Sequence, residues 1–228
     1  MRNTILKYAL EFIVIIAGIL VSFYIEKQNT ISYKDELKNQ SLGRLISNIE
    51  NDIKYSKFNY NIHSKGAKFG KIILTRSNDL YLNDKDSLGY YLKSVSLFGT
   101  SFVDNQEEYS TLRNSGLMEL IDNDVLVSKL QSKYSDHSHF KRLEAWISGF
   151  KELDKVANQK ISFKTIGKTL YGPHGTYISN EPLNNYELNV LTRKTGLFSY
   201  YAGLIKKRIT ADSLLILEIR KEIDLHKY

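Results

Sequence analysis

Cysteine is absent from the chain. Disulfides, thiolate metal or iron–sulfur sites, thiol nucleophiles and lipid attachment through Cys are therefore excluded. Proline occurs twice, at Pro173 and Pro182, so everything before residue 173 is free of the strongest helix breaker. No Gly-rich phosphate loop, nucleophile elbow or His-Glu-x-x-His sequence occurs. With no catalytic signature, the expectation is a protein that is not an enzyme, with no metal site and no cofactor.

The titratable residues that sit close in sequence have plain explanations. Asp136, His137, His139 and Glu144 are near one another, but residues two apart do not share a helical face, so a polar surface patch is expected there. Glu107-Glu108 fits the acidic start of a helix, where carboxylates meet the positive end of the helix dipole. His63 and His174 have no visible partner in sequence.

Hydrophobic residues make up 42% of the chain and charged residues 25%, which places it among folded proteins. The formal net charge is +7. Lys and Arg are spread along the chain with short clusters such as Lys206-Lys207-Arg208. Without a nucleic-acid-reading motif, no nucleic-acid partner is expected.

Tyr8 to Ile25 reads YALEFIVIIAGILVSFYI, a run that is nearly all apolar. As a helix this run spans about 27 Å, close to the thickness of a bilayer's hydrocarbon core. Tyr8 and Tyr24 flank it, and Arg2, Lys7 and Lys27 lie outside. No small-x-small processing site follows, so an uncleaved transmembrane anchor is expected rather than a signal peptide. Basic residues on the two sides are nearly balanced, although a short N-terminal tail suits a tail-in, domain-out orientation. Within the run, Glu11, Gly18 and Ser22 fall on one helical stripe. Gly18 and Ser22 form a small-xxx-small pair, which makes these three the candidate membrane helix contact. An alternative is that Glu11 lies one turn in and reaches the headgroups.

Beyond the run, Leu37, Leu42, Leu45, Ile46, Ile49 and Ile53 repeat at helical spacing. The pattern predicts a helix that leaves the membrane and runs to the low seventies, weakened at its end by Gly66 and Gly70. A turn-rich connection is expected at residues 77–86, a short helix at 87–98 and a break at 99–104. An acid-started helix stopping at Gly116 follows, then one helix from about Asp122 to Asn158. Residues 171–182 form the clearest loop. From Leu188 to Ile223 apolar positions recur at alternating 3- and 4-residue steps, with Asp212 the one polar interruption. This is the seam of a long helix packed lengthwise on another.

Two segments resemble an uncharacterised family of bacterial single-span membrane proteins. One carries Tyr8-Ala9, Glu11 and Gly18-Ile19-Leu20; the other is Tyr109 to Leu130, YSTLRNSGLMELIDNDVLVSKL. The resemblance implies a protein of the bacterial inner membrane with its domain in the periplasm, and it implies no activity. It also marks Ser115 and Gly116 as a candidate contact. In the loop, Tyr171, His174 and Tyr177 suit recognition.

Together these readings give a mainly α protein. Residues 1–26 are the tail and transmembrane helix, which continues into a long helix of an elongated antiparallel helical bundle at 27–228. The expected function is that of a membrane-anchored accessory or scaffold subunit acting through helix–helix contacts. Its partners would be the lipid bilayer and a protein or a second copy through the transmembrane helix. The alternative is an extracytoplasmic sensor-like bundle that binds a ligand and signals through a membrane partner.

Overall fold

The computed structural model describes residues 2–163 and 175–225, and among these the side chains of all but residues 2–6, 9 and 163. The chain is mainly helical. Helix α1 runs from Arg2–Asn83, α2 from Lys85–Leu97 and α3 from Glu107–Asn114. A 3-10 turn at Leu117–Leu120 leads to α4, Asp124–Ser135; α5, His137–Ser148; and α6, Lys151–Lys160. Strand β1, Ile161–Phe163, pairs antiparallel with β2, Gly175–Tyr177, and α7 covers Asn185–Leu225.

α1 and α7 are antiparallel neighbours along most of α7, as the two seams require. Leu191, Phe198, Ile205 and Ile219 of the α7 seam are fully buried. Glycines set the closest approaches. Gly66 lies under the Phe198 ring and Gly70 against the Thr195 side chain, so these residues do not end α1 but let α7 sit on it. α1 continues past the expected turn to Asn83. Arg76 alone leaves helical geometry (φ −133°, ψ 18°). Asp79 bridges the kink by accepting from Arg76 Nη2 at 2.7 Å and Asn83 Nδ2 at 2.9 Å. Leu80 is buried beyond it, so packing overrides the polar composition of this stretch.

Two other expectations are corrected. The single helix expected over 122–158 is three. Asn123 caps its start, accepting from Leu126 N at 3.1 Å. The chain then breaks at Asp136 and again at Gly149–Phe150, which turns Phe140, Leu143, Ile147 and Leu153 all inward. Part of the expected 171–182 loop is a strand. β2 is pressed onto α2 at Gly89, where a methyl group would lie 2.6 Å from Tyr177 N and 2.7 Å from the Thr176 carbonyl carbon.

The core falls into two apolar clusters. One joins Leu42, Leu45 and Ile49 of α1 to Leu112, Leu126, Leu130 and Ile219. The other joins Ile73 to Leu88, Leu92, Phe102, Ile147, Leu191, Phe198 and Ile205. Between Ile25 and the first fully buried residue, Lys38, α1 has no buried residue, and Ile31 and Tyr33 are exposed. This stretch is a largely exposed helical stalk, bordered by Leu120 of the 3-10 turn.

Among the described residues no helix is long and apolar enough to cross a membrane. The single transmembrane anchor expected at residues 8–25 is thus not supported by the described helix. Where side chains are continuously described, the apolar run is confined to Leu10–Ile25 and includes Glu11. Extending it forward takes in Glu26 and Lys27.

The backbone contact at α2 makes a paired prediction. Gly89→Ala is expected to lower unfolding stability by about 1–3 kcal/mol, since backbone cannot move aside as a side chain end can. Gly43→Ala, with nothing within 4 Å of the new methyl, should raise it by about 0.5–1 kcal/mol. Chemical denaturation of the two variants checks both.

Candidate functional site

The two apolar clusters are separated by a buried polar layer. On α1 it consists of Asp52, Ser56, Asn59 and His63, all at most 3% exposed. Their 4-, 3- and 4-residue steps continue the same face that carries Leu42, Leu45 and Ile49. α7 contributes Arg208, Asp212 and Tyr201, α4 contributes Lys133 and Tyr134, and α5 contributes His137 and Glu144. The 98–106 connection supplies Thr100, Asp104 and Asn105.

Lys133 is the centre of the half nearest the stalk. Its Nζ lies 3.0 Å from Asp212 and 3.1 Å from Asp52. Asp52 also accepts from the Asn105 backbone N at 3.0 Å. Arg208 reaches Asp212 at 3.4 Å and Asp104 at 3.5 Å, and His137 Nδ1 closes the chain on Asp104. The Arg208 guanidinium rests 5.6 Å from the ring centres of both Phe102 and Phe140. Three acidic side chains thus share one lysine, one arginine and one histidine. Burial pushes the Asp52 carboxyl above its usual range despite the Lys133 charge. Burial, reinforced by the three aspartates, also pushes the Tyr134 phenol up.

The other half centres on Glu144. It accepts from Tyr201 Oη at 2.6 Å, from Thr100 Oγ1 at 2.9 Å and from the Phe102 backbone N–H. Because the Thr100 proton points at Glu144, the 2.8 Å contact with His63 is Nε2–H donating to Thr100 Oγ1. His63 Nδ1 has no hydrogen-bond partner among the described residues. The ring packs at 4.5 Å from Tyr201 and 5.3 Å from Phe198. Burial, helped by the Lys194 charge, lowers its pKa to about 4. The ring is therefore a neutral core group at ordinary pH.

Chemically this layer is a set of buried side chains that satisfy one another across the helices. Two surface grooves are lined by other residues: Trp146, Phe150 and Tyr200 at one, Lys68, Lys71 and Lys206 at another. Among the described residues no group of three or more His, Asp or Glu could hold a metal ion. The sequence cluster at 136–144 is dispersed, since Glu144 is buried while His139 faces Arg142 at the surface.

Of the residues singled out from sequence, Glu11 is exposed and pairs with Lys7 at 3.9 Å. Gly18 has nothing within 4 Å, and the Ser22 hydroxyl donates to the Gly18 carbonyl at 2.9 Å. The stripe is open and makes no contact with the rest of the described chain. Gly116 stops α3 through its left-handed backbone (φ 74°), while the Ser115 hydroxyl bonds back to Thr111 O at 2.8 Å. Tyr171 and His174 lie outside the described residues. Tyr177 is corrected from a recognition residue to a core one. It is 1% exposed, donates to Glu181 O at 2.8 Å, and burial raises its phenol to about 12. The polar layer escapes sequence reading because partners such as Asp52, Lys133 and Asp212 stand far apart along the chain. The only local signal is the polar break in each seam. No known protein family, curated protein or solved structure matches the chain.

Two outcomes follow for stability. Lys133→Met leaves Asp52 and Asp212 without their shared cation and should cost about 3–5 kcal/mol. Asp52→Asn removes a carboxylate already penalised by burial and should cost far less; denaturant titration at pH 7 distinguishes them. For His63, the unfolded ring takes up a proton near pH 6.5 and the folded ring only near 4. Its contribution is therefore complete above pH 6.5 and is lost as pH falls toward 4, to a total of about 3 kcal/mol. A His63→Gln variant should show a correspondingly flatter stability profile across that window.

Proposed function

We propose that the chain is a membrane-anchored interaction subunit. Residues 8–25 hold it in a bacterial inner membrane, and the helical bundle is carried on a stalk outside the cytoplasm. The observation that carries this reading is the collar of side chains on α1. Leu10, Phe12, Ile13, Val14, Ile15, Ile16, Ile19, Leu20, Val21, Phe23, Tyr24 and Ile25 are all 40–69% exposed, on every side of the helix. A water-soluble helix shows one apolar face, and a helix apolar all round needs an apolar solvent or a covering partner. Counting Tyr8 and Ala9, the run reaches the shorter end of the lengths that span hydrocarbon.

Details of the collar fit a bilayer. Glu11 lies one turn from Lys7, so its carboxylate and that ammonium can share the headgroup region. The Ser22 hydroxyl is satisfied by its own helix, which removes the cost of a bare polar group in lipid. The open face at Gly18 lets a second helix approach closely.

The interaction role rests on what the bundle buries and what it displays. Its buried polar groups hydrogen-bond and ion-pair with one another across the helices, which supports a structural use for them over ligand binding. Its outer surface carries exposed Trp146, Tyr186, Tyr200, Leu214 and Leu217, more apolar display than packing of the bundle uses.

The anchor is tested by alkaline carbonate extraction of native membranes, with protease added to spheroplasts to read sidedness. The chain should stay in the pellet and lose its C-terminal tag to the protease; release into the supernatant ends the anchor reading. Gly18→Ile should weaken self-association or partner association of the anchor about tenfold in a membrane-association reporter, a loss of about 1.4 kcal/mol.

A further inference from the structure

The two long helices are acid-free over the stretch where they lie side by side. From Ile53 to Asn78, α1 carries Lys54, Lys57, Lys65, Lys68, Lys71 and Arg76 and no Asp or Glu. From Leu188 to Ala211, α7 carries Arg193, Lys194, Lys206, Lys207 and Arg208 and again none. Gly66 against Phe198 and Gly70 against Thr195 place these windows in register.

Five of these cations are engaged within the fold. Lys194 donates to Ser96 O at 3.0 Å, and Arg208 sits in the polar layer. Arg193 pairs with Glu152, Arg76 with Asp79, and Lys65 stands over the Phe69 ring. Lys68, Lys71 and Lys206 are different. They are exposed, no described carboxylate lies within ion-pair distance of them, and all three line one groove of about 590 Å³ between α1 and α7.

The groove has an apolar floor between cationic banks. Ala67, Ile72, Ala202 and Gly203 form the floor, with Lys68 and Lys71 on the α1 side and Lys206 on the α7 side. A Cβ at Gly203 would meet nothing within 4 Å, so the floor is open to a close approach. From Tyr60 to Thr75 the α1 bank runs for about 22 Å, the length of a four-turn helix. A cleft between two helices is the natural seat of a third, and small floor residues shorten the distance at which it packs.

We propose that this groove docks an acidic amphipathic helix of a partner protein, its apolar face on the floor and its carboxylates on the three lysines. The charge selects an anionic partner, and the apolar floor selects a folded peptide face over a fully charged polymer. This rests on the interaction-subunit reading but not on the anchor, because the groove belongs to the bundle.

The test uses the full chain in mild detergent, a preparation that does not depend on the anchor, and two fluorescent probes. One is a designed five-turn helix with leucines on one face and glutamates on the other, and the second is an inorganic polyphosphate chain. Lys68→Glu with Lys71→Glu should weaken the peptide about tenfold or more. Gly203→Leu, whose added Cβ meets nothing within 4 Å, should do the same while leaving the circular dichroism intact and the unfolding midpoint no lower. Lys141→Glu with Lys155→Glu, the same charge change on α5 and α6, should alter affinity less than about twofold. Peptide binding that survives Gly203→Leu, or that falls equally with the remote pair, overturns the proposal. So does polyphosphate binding as tightly as the peptide and being indifferent to Gly203→Leu, which would make the groove a simple polyanion cradle. Extraction behaviour reports on the anchor separately, so the two readings fail independently.

Discussion

Lys133 cannot be left alone inside an apolar bundle. An ammonium withdrawn from water must meet opposite charge, and here it meets Asp52 from α1 and Asp212 from α7 at once. One side chain on a short helix thereby fixes where two long helices stand relative to each other. The same arrangement recurs along the bundle. Near the stalk, Lys38 is fully buried, lies 3.1 Å from Leu120 O and is flanked by Asp35 and Glu222. Farther out, Lys194 is tied to Ser96, and Lys160 faces Glu187 at 3.5 Å. An apolar seam with near-uniform repeats tolerates a slip of one turn. A buried cation does not, because the slipped form strands a charge. These residues contribute little net stability by themselves and a great deal of register.

The polar layer also explains why the core is divided. Asp52 to His63 interrupts what would otherwise be a continuous seam on α1, and Arg208 with Asp212 interrupts the facing seam on α7. The connection at 98–106 enters the bundle at this level because its own backbone is needed there. Asn105 N–H serves Asp52, and Phe102 N–H serves Glu144. The loop is thus held by side chains of the surrounding helices, and Phe102 is carried into the core with it, 1% exposed.

The long helices were legible from sequence because their signal is local: the apolar stripe repeats within each turn. The α7 seam from Leu191 to Ile219 and the stop at Gly116 were readable in that way, and the helix start was readable to within Asp122 or Asn123, of which Asn123 is the cap. The extent of α1 beyond residue 76 was not, since its polar stretch is held by Leu80 packing and by Asp79, and only the former is visible as a single leucine. The split of α4, α5 and α6 was hidden because each break takes so little chain out of an otherwise helical composition. The strand at β2 depends on its pairing with β1 and on the missing side chain of Gly89. Of the proposed contact surfaces, the stripe of Glu11, Gly18 and Ser22 could be named from spacing. The Lys68–Lys71–Lys206 groove could not, because its meaning lies in which acids are absent after folding rather than in any motif.

The stalk has a mechanical consequence. Residues 26–37 belong to the same unbroken helix as the collar and the bundle, so there is no swivel between them. A turn of the collar about its long axis is passed to the bundle as torque, and the bearing of the basic groove is indexed to that of the Gly18 face. The spacing works like a phased shaft: adding one residue to the stalk rotates the far end by about 100° and lifts it about 1.5 Å, while adding a full heptad lifts it by about 10 Å and nearly restores its heading.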